Sequence, residues 1–351
     1  MTGSVLEEDI EEVLAQDLPW ERLAGARVLV TGATGMTGLY VTRALLALSG
    51  RLSSAPRVVG LVQNRAKAER LYAEALGDGF LQLAVQDVAE PFAVDGAVDW
   101  VVHTASPANP AAFRDDPVGV VRANVLGTLH SLELARSTGA AVCMVSTMEV
   151  YGSVTDLPEH AEGRVTEDAP GVLDSLDLRS AYPESKRLAE TLCVAAHAQH
   201  GTDYRIARLS HTYGPGMGTE DARVQAYFLR QALAGEDIVL QSDGTLERTY
   251  TYVADAAAAV LAMVLDQRSG TYNVANEDAR VSVRDLAEAF QRHSPVPGGQ
   301  VVTRTRTDTG LWSKAPSGTF LDCSRLRATG WRARVSVDEG VARWIGYHSG
   351  R

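Results

Sequence analysis

The chain has 351 residues, a net charge of −11 at pH 7 and a hydrophobic fraction of 45%, which suits one α/β domain with a smaller lobe. An acidic chain lacks the lysine and arginine excess of a nucleic-acid-binding surface, so we expect no nucleic acid as a partner. Three unpaired cysteines, no membrane span and no signal peptide predict a cytoplasmic protein without membrane contact.

Apolar strands and helices alternate along the first two hundred residues. A short amphipathic helix is predicted first, at 5–16. In chain order, strands are predicted at 28–30, 57–62, 81–85, 100–103, 141–146 and 204–209, and helices at 38–48, 66–76, 117–137 and 182–200. This alternation implies a doubly wound α/β fold with a parallel sheet and right-handed crossovers. After about residue 150 the rhythm loosens, and short helices and strands mix in a C-terminal lobe.

A glycine-rich segment follows the first buried strand directly and opens the next helix. Gly32, Gly35 and Gly38 form a G-x-x-G-x-x-G pattern, with Thr34 and Met36 between them. Glycines permit the tight turn, the approach of a pyrophosphate to the backbone and close packing of helix on strand. The helix N-terminus adds unpaired N–H groups and a positive dipole end for the phosphates. This placement predicts a Rossmann-type dinucleotide site.

The second strand ends where a dinucleotide would present its adenosine ribose. An acidic residue usually binds the ribose hydroxyls of NAD at this position, whereas this chain has Gln63, Asn64 and Arg65. Arg65 could instead meet a 2′-phosphate, so NADP stays open beside NAD, the simpler expectation for a closed redox cycle. After the third strand, Asp87 and Val88 are placed to contact the adenine, although an aspartate there also suits a helix cap.

A tyrosine and a lysine four residues apart lie on one face of a predicted helix. These are Tyr182 and Lys186, and the strand expected to face them ends in Ser146 and Thr147. An ammonium group and a positive nicotinamide ring both favour the phenolate and lower the pKa of the tyrosine. The phenolate can then remove a hydroxyl proton while hydride leaves the same carbon, and a nearby hydroxyl can bond the reacting oxygen.

With these features together, the chain resembles the extended short-chain dehydrogenase/reductase family of nucleotide-sugar epimerases, dehydratases and decarboxylases. The resemblance covers roughly residues 23–331. It implies further cofactor contacts from Thr104, Ala105, Ser106 and Asn124, with Ser146, Tyr182 and Lys186. It implies substrate contacts from Pro107, Met148, Glu149, His211 and Arg248. An arginine suits a diphosphate or carboxylate because its planar fork bonds two oxygens.

The segment Thr147, Met148 and Glu149 distinguishes the family's reactions. It is similar to Thr-Asp-Glu of the 4,6-dehydratases and Thr-Ser-Glu of the UDP-glucuronate decarboxylases, whereas 4-epimerases usually lack the glutamate. A dehydratase needs an acid for the leaving C6 hydroxyl, and a methionine cannot donate that proton. Decarboxylation needs no such acid. Oxidation at C4 makes a β-keto acid, and when this acid loses CO2 the ketone accepts the electron pair of the broken bond as an enolate. Thr147, Glu149, Tyr182, Lys186 and Arg248 are the predicted catalytic residues.

The resemblance therefore predicts an NAD-dependent decarboxylase that converts UDP-glucuronate through a 4-keto intermediate to UDP-xylose, UDP-4-keto-pentose or both. Met148 and His211 depart from the usual residues beside the sugar, which raises the hypothesis that the 4-keto sugar is released. A 4,6-dehydratase or a 4-epimerase is the alternative. A non-catalytic nicotinamide-binding regulator is a remote one.

Three parts of the chain are expected. These are an N-terminal arm at 1–25, a dinucleotide-binding domain mainly at 26–210 and a sugar-nucleotide-binding lobe mainly at 211–351, the last two interleaved. By resemblance, the helices at 117–137 and 182–200 pair across a two-fold axis as the four-helix bundle of a homodimer. No metal site is predicted.

Overall fold

The structure, a computed structural model, describes residues 4–154, 157, 164–304 and 319–350. Its helices are α1 (Val5–Leu14), α2 (Met36–Ala47), α3 (Arg65–Leu71), α4 (Ala73–Gly77), α5 (Pro110–Asp115), α6 (Pro117–Thr138), α7 (Ala181–His200), α8 (Val224–Ala234), α9 (Val253–Leu265), α10 (Val283–Arg292), α11 (Ser324–Arg327) and α12 (Val337–Ser349). Short 3₁₀ helices include Trp20–Leu23, Met148–Tyr151 and Leu178–Ser180.

The strands are β1 (Arg27–Thr31), β2 (Arg57–Val62), β3 (Leu81–Val85), β4 (Trp100–His103), β5 (Ala141–Thr147), β6 (Arg164–Val165), β7 (Tyr204–Leu209), β8 (His211–Tyr213), β9 (Ile238–Leu240), β10 (Glu247–Tyr252), β11 (Gly270–Val274), β12 (Arg280–Ser282), β13 (Val301–Thr303) and β14 (Phe320–Leu321). Seven of them form one parallel sheet in the order β11-β7-β5-β4-β1-β2-β3. This order confirms the doubly wound α/β fold.

The central strands form because their residues are apolar on both faces. Val28, Leu29 and Val30 of β1 are at most 1% exposed, as a strand covered by helices on both sides requires. Four strands lie where the sequence predicts them to the residue: β2, β3, β4 and β7. The strand β11 comes from the C-terminal part of the chain yet joins this sheet beside β7, so the two predicted domains share their core.

The predicted helix at 66–76 is wrong as a single element. It is two helices, α3 and α4, which meet at Tyr72, where φ is −125° and ψ is 23°. The Tyr72 ring is 2% exposed, and its hydroxyl donates to the carbonyl of Ala33 in the glycine-rich segment. Burial of this large side chain takes precedence over helical continuity. The short helix α5 was not predicted; Asn109 caps it by accepting from the Ala112 amide over 2.9 Å.

The N-terminal segment is packed into the fold through α1. Asp9 of this helix is fully buried and accepts hydrogen bonds from the hydroxyls of Tyr40 on α2 (2.6 Å) and Tyr252 on β10 (2.8 Å). Arg343 of α12 donates to the same carboxylate over 2.9 Å. One side chain of the predicted arm thus joins the dinucleotide half, the C-terminal lobe and the last helix.

Within the described ranges, none of the helices has both the length and the apolar character needed to cross a membrane. The same ranges contain no cluster of three or more His, Cys, Asp or Glu side chains arranged for a metal ion. Cys143, Cys193 and Cys323 are free thiols, and all three are buried in the core.

We predict that Asp9→Ala lowers the free energy of unfolding by about 3 kcal/mol, because two buried phenols and an arginine lose their shared acceptor. Chemical denaturation measures this difference. Glu8→Ala on the exposed face of the same helix is the control, and it should unfold at nearly the wild-type midpoint. Equal midpoints for the two variants would contradict the bridging role of Asp9.

Candidate active site

One cavity of about 470 Å³ opens where parallel strands end. The segments that follow β1, β4, β5 and β7 all reach it, because the carboxyl ends of parallel strands lie at one edge of the sheet. Predicted site residues that line it are Gly35, Met36, Gly38, Thr104, Ser106, Pro107, Ser146, Thr147, Met148, Glu149, Tyr182, Lys186, His211 and Arg248. The structure therefore brings together every predicted catalytic and substrate residue.

The glycine-rich segment is shaped for close backbone packing and an uncovered helix end. Gly32 has φ of +67°, and a Cβ there would lie 2.8 Å from the Ala105 Cα. A Cβ at Gly38 would lie 2.6 Å from the Thr104 hydroxyl. Gly35 precedes α2 without a side-chain cap, and the first turn of α2 contains no acidic residue. The first amides of α2 therefore face the cavity edge uncapped by side chains, as a pyrophosphate site requires.

The residues predicted at the adenosine end lie outside the cavity, beyond the end of β2. Gln63 is exposed, Asn64 caps α3 by accepting from the Lys67 amide over 2.9 Å, and Arg65 pairs with Glu69 at 3.6 Å. These side chains leave no carboxylate at the ribose position.

Asp87 and Val88, predicted at the adenine, follow β3. The Asp87 carboxylate accepts from the Ala89 amide over 2.8 Å, which is a local turn contact, and Val88 is 5% exposed. Their contact with adenine stays a prediction, as do those of Gln63, Asn64 and Arg65.

Asn124 of α6 is fully buried and links the loop after β4 to α7. Its Oδ1 accepts from the Ser106 hydroxyl over 2.8 Å, and its Nδ2 donates to the Ser185 hydroxyl over 2.9 Å. Ser185 in turn donates to the Tyr182 carbonyl over 2.8 Å. The amide of Asn124 thus holds these two segments together, and its contact with the cofactor stays a prediction.

Tyr182 lies at the floor of the cavity, stacked on the ring of Phe113 with the ring centroids 4.4 Å apart. Burial raises the pKa of Tyr182 and the charge of Glu149 raises it further, whereas a hydrogen bond from Thr147 and the charge of Arg223 lower it. The sequence predicts that Lys186 lowers the pKa of Tyr182, but Lys186 is not among the groups that shift this pKa in the structure. With the chain alone, the phenol is therefore held protonated, with Thr147 in hydrogen-bonding contact.

Lys186 stands one turn further along α7 and is 2% exposed. Its Nζ donates to the Val145 carbonyl over 2.9 Å. Burial lowers the pKa of Lys186 to about 8, against an opposing effect of the charge on Glu190. The ammonium form therefore dominates at neutral pH but is easily lost at alkaline pH.

Ser146 lines the cavity, and its hydroxyl bonds a residue of α7. Its hydroxyl donates to the Glu190 carboxylate over 2.6 Å, beneath the cavity floor. The adjacent residue Thr147 supplies the hydroxyl beside Tyr182, and it also accepts from the Glu149 amide over 3.2 Å. Successive residues of a strand face opposite sides, so only one of this pair of hydroxyls reaches the tyrosine.

Positive charge surrounds the half-buried carboxylate of Glu149 in the cavity. Burial raises the pKa of Glu149, and the guanidinium groups of Arg179, Arg248 and Arg223 lower it. Arg223 is oriented by Asp221, whose carboxylate accepts two bonds of 2.8 and 2.9 Å from it. The Nε of Arg248 is buried without a hydrogen-bond partner. Several guanidinium groups around one cavity suit a substrate that carries a diphosphate and a carboxylate.

Arg179 and Arg223 were not predicted as site residues. Arg179 lies in a 3₁₀ turn and Arg223 immediately precedes α8, so no periodic pattern marks either one. The sequence offers one signal for Arg179 as a site residue. It lies three residues before Tyr182, and this interval places both residues near the start of one helix.

The two departures from the family's usual residues both border the cavity. Met148 is half-buried and packs against the cluster that contains Val150 and Tyr151, so it presents a thioether with no proton to donate. Burial lowers the pKa of His211 to about 3, with Arg248, Arg223 and Arg179 adding to the effect. His211 is therefore neutral at physiological pH and acts only through hydrogen bonds.

The chain is similar to known proteins over most of its length. UDP-glucuronic acid decarboxylase 6 of Arabidopsis thaliana is 32% identical over 317 residues, covering 90% of this chain and 86% of the relative. UDP-glucuronic acid decarboxylase 1 of Xenopus tropicalis is 30% identical over 323 residues, covering 92% of this chain and 72% of the relative.

Solved structures show the same fold. A UDP-glucuronic acid 4-epimerase of Bacillus cereus, in complex with UDP-glucuronic acid and NAD, superposes with a TM-score of 0.74 at 21% identity over 92% of this chain and 99% of the epimerase. A dTDP-glucose 4,6-dehydratase of Streptomyces venezuelae, with NAD bound, gives 0.74 at 26% identity over 93% and 97%. Residues 28–275 match the NAD dependent epimerase/dehydratase family, and the chain therefore belongs to that family.

Proposed function

We propose that this protein decarboxylates UDP-glucuronate through a 4-keto intermediate. The observation that carries the proposal is a half-buried glutamate, Glu149, set among three arginines beside the Tyr182–Thr147 pair. The arginines suit the diphosphate and the sugar carboxylate of this substrate. The decarboxylases that align over 90% of the chain favour this reaction over the other chemistries of the family.

The first step oxidises the C4 hydroxyl of the sugar. Bound NAD would accept the C4 hydride and later return it, and the chain's part is to move the hydroxyl proton. Tyr182 takes that proton, and the Thr147 hydroxyl holds the reacting oxygen in line. Burial raises the Tyr182 pKa, and the positive nicotinamide ring of bound NAD would favour the phenolate and offset that effect.

The second step releases CO2. The C4 ketone is β to the carboxylate, so the C5–carboxyl bond breaks and its electron pair passes into an enolate at C4. A proton must then return to C5, and Arg248 and Glu149, which both line the cavity, are the candidates for its delivery. Met148 has no role in this step because no hydroxyl leaves from C6.

The product is UDP-xylose if the ketone is reduced in place, and UDP-4-keto-pentose if it leaves first. Met148 and the neutral His211 replace polar contacts beside the sugar, which supports release of the ketone as part of the outcome. The alternatives are a 4,6-dehydratase that relies on Glu149 alone and a 4-epimerase. A regulator without catalysis is disfavoured, because Tyr182, Lys186 and Thr147 are assembled in one cavity.

The cofactor is NAD, whose pyrophosphate the uncapped start of α2 would hold. Gly32, Gly35 and Gly38 shape the turn that leads into this helix, and no carboxylate stands among residues 63–65. The buried free thiols suit the reducing cytoplasm, where nucleotide sugars are also expected as substrates.

A homodimer through α6 and α7 is also part of the proposal. Apolar side chains stand exposed on these two helices, with Val118 at 69%, Leu188 at 48% and Val194 at 49%. An exposed apolar stripe on adjacent helices suits a four-helix bundle with a second copy of the chain.

We expect UDP-glucuronate incubated with the protein and NAD to yield a product lighter by one CO2, detected by mass spectrometry. The redox state of that product distinguishes the pentose from the 4-keto pentose. An unchanged mass with a new isomer on chromatography would instead indicate a 4-epimerase. Loss of water from a nucleotide-linked glucose would indicate a dehydratase.

We predict that Tyr182→Phe lowers kcat by at least about 100-fold, because the ring and its stacking remain while the proton acceptor is lost. Steady-state assay of CO2 release measures the change. Tyr204→Phe, half-buried at the start of β7 and away from the cavity, is the control and should turn over as the wild type does. A Tyr182→Phe protein with full activity would contradict the assigned role.

We predict that Leu188→Asp converts the dimer to a monomer, because a carboxylate cannot be buried in an apolar bundle without a partner. Sedimentation velocity gives the mass. Tyr347→Asp, on the exposed side of α12, should remain dimeric. A wild-type monomer, or a Leu188→Asp dimer, would exclude this bundle as the interface.

A further inference from the structure

A buried ion pair lies beneath the cavity floor and joins two elements of the site. Glu190 of α7 is 7% exposed, and its carboxylate accepts from Arg208 of β7 over 2.6, 3.0 and 3.2 Å. The same carboxylate accepts the Ser146 hydroxyl over 2.6 Å. The helix that carries Tyr182 and Lys186 is thereby bonded to the end of β5, directly before Thr147.

The arginine of this pair extends the connection to the turn that carries Glu149. Arg208 donates to the Tyr151 hydroxyl over 2.8 Å, and its guanidinium lies 4.8 Å from the centroid of the Tyr151 ring. Tyr151 ends the 3₁₀ helix Met148–Tyr151, and its hydroxyl donates to Asn273 of β11 over 2.7 Å. A single guanidinium therefore contacts both α7, through Glu190, and the 3₁₀ helix, through Tyr151.

The charges around Lys186 leave Glu190 as its counterion. On α7, Lys186 is flanked by Glu190 and by Cys193, a thiol whose pKa burial raises to about 12. On β4, burial lowers the pKa of His103 to about 3, so the imidazole is neutral. Helix α6 adds only neutral polar groups to this region; they are Asn124, Thr128 and Ser131. Arg208, from β7, is already paired with the carboxylate.

We propose that Glu190 and Arg208 are positioning residues, whose ion pair holds the tyrosine–lysine helix against the turn that carries Glu149 and keeps Lys186 charged. This inference rests on the proposed function for the roles of Tyr182, Lys186 and Glu149. The pair touches neither the cavity nor the reacting atoms, since neither member lines it. It acts through Ser146 and Tyr151, the residues that flank the segment from Thr147 to Val150.

The proposal says that Glu190 keeps Lys186 charged, and titration of Lys186 tests this without any substrate. The sequence contains only three lysines, Lys67, Lys186 and Lys314. A protein labelled with ¹³C at lysine Cε therefore gives few NMR signals. The signal that is lost in Lys186→Arg is assigned to Lys186. We expect a wild-type midpoint of about 8. Removal of the neighbouring negative charge disfavours the ammonium, so Glu190→Gln should lower the midpoint by about one pH unit.

Asp9→Asn is the matched control, because it removes the same charge from another buried carboxylate that pairs with an arginine. Its Lys186 midpoint should equal that of the wild type. An unchanged midpoint in Glu190→Gln would overturn the proposal. Because this titration needs no substrate, it stands even if the wild-type protein fails to decarboxylate UDP-glucuronate, in which case only the proposed function fails.

Tyr151→Phe tests whether the ion pair positions the 3₁₀ helix, and it leaves the charges of Glu190 and Arg208 in place. It removes the link between Arg208 and the 3₁₀ helix, so we expect kcat to fall by about 10-fold while KM changes by less than about 2-fold. The Lys186 midpoint should stay at its wild-type value. Wild-type kcat in both Tyr151→Phe and Glu190→Gln would show that the pair serves stability alone and would overturn the positioning role.

Discussion

The site depends on the parallel register of β1, β4, β5 and β7. β1 and β4 end side by side at Thr31 and His103, whereas β5 and β7 continue three residues beyond Met144, the partner of His103, and end together at Thr147 and Leu209. The loops that follow them then converge on one cavity from separate parts of the sequence. A shift of one residue in the register of β5 would direct the Thr147 side chain away from Tyr182 and the Ser146 side chain toward it. The apolar burial that fixes the register is therefore the first requirement of the chemistry.

Burial also sets the charge of the site. It raises the pKa values of Tyr182 and Glu149 and lowers those of Lys186 and His211, so each of these groups is shifted toward its neutral form. Arginine resists such a shift because its pKa lies so far above neutrality. The guanidinium groups on the substrate side therefore remain positive where other groups lose charge. A cavity of this kind favours an anionic substrate, although the chain as a whole carries a net charge of −11.

The sequence predicts the sheet better than the surroundings of the site. Largely apolar runs such as β2 and β4 are stable only when buried between helices, so the sequence pattern indicates where they lie. The break at Tyr72 depends on a distant acceptor, the Ala33 carbonyl, which no local pattern reveals. The hydrogen-bond partners of Ser146 and Asn124 also lie on other elements of the fold, as Glu190 and Ser185 of α7 show, and no local pattern reveals them.

A buried ion pair is a poor source of net stability, because removal of both charges from water costs about as much as their attraction returns. A pair of apolar residues would fill the space of Glu190 and Arg208 at less cost. Apolar residues, however, could not bond the Ser146 hydroxyl and the Tyr151 phenol at the same time, nor place a negative charge one turn from Lys186. The directional bonds of the pair specify one arrangement of α7, β5 and the 3₁₀ helix. For the proposed reaction, in which the Thr147 hydroxyl, the Tyr182 phenol and the Glu149 carboxylate act on one sugar, that specificity explains why a charged pair occupies the core.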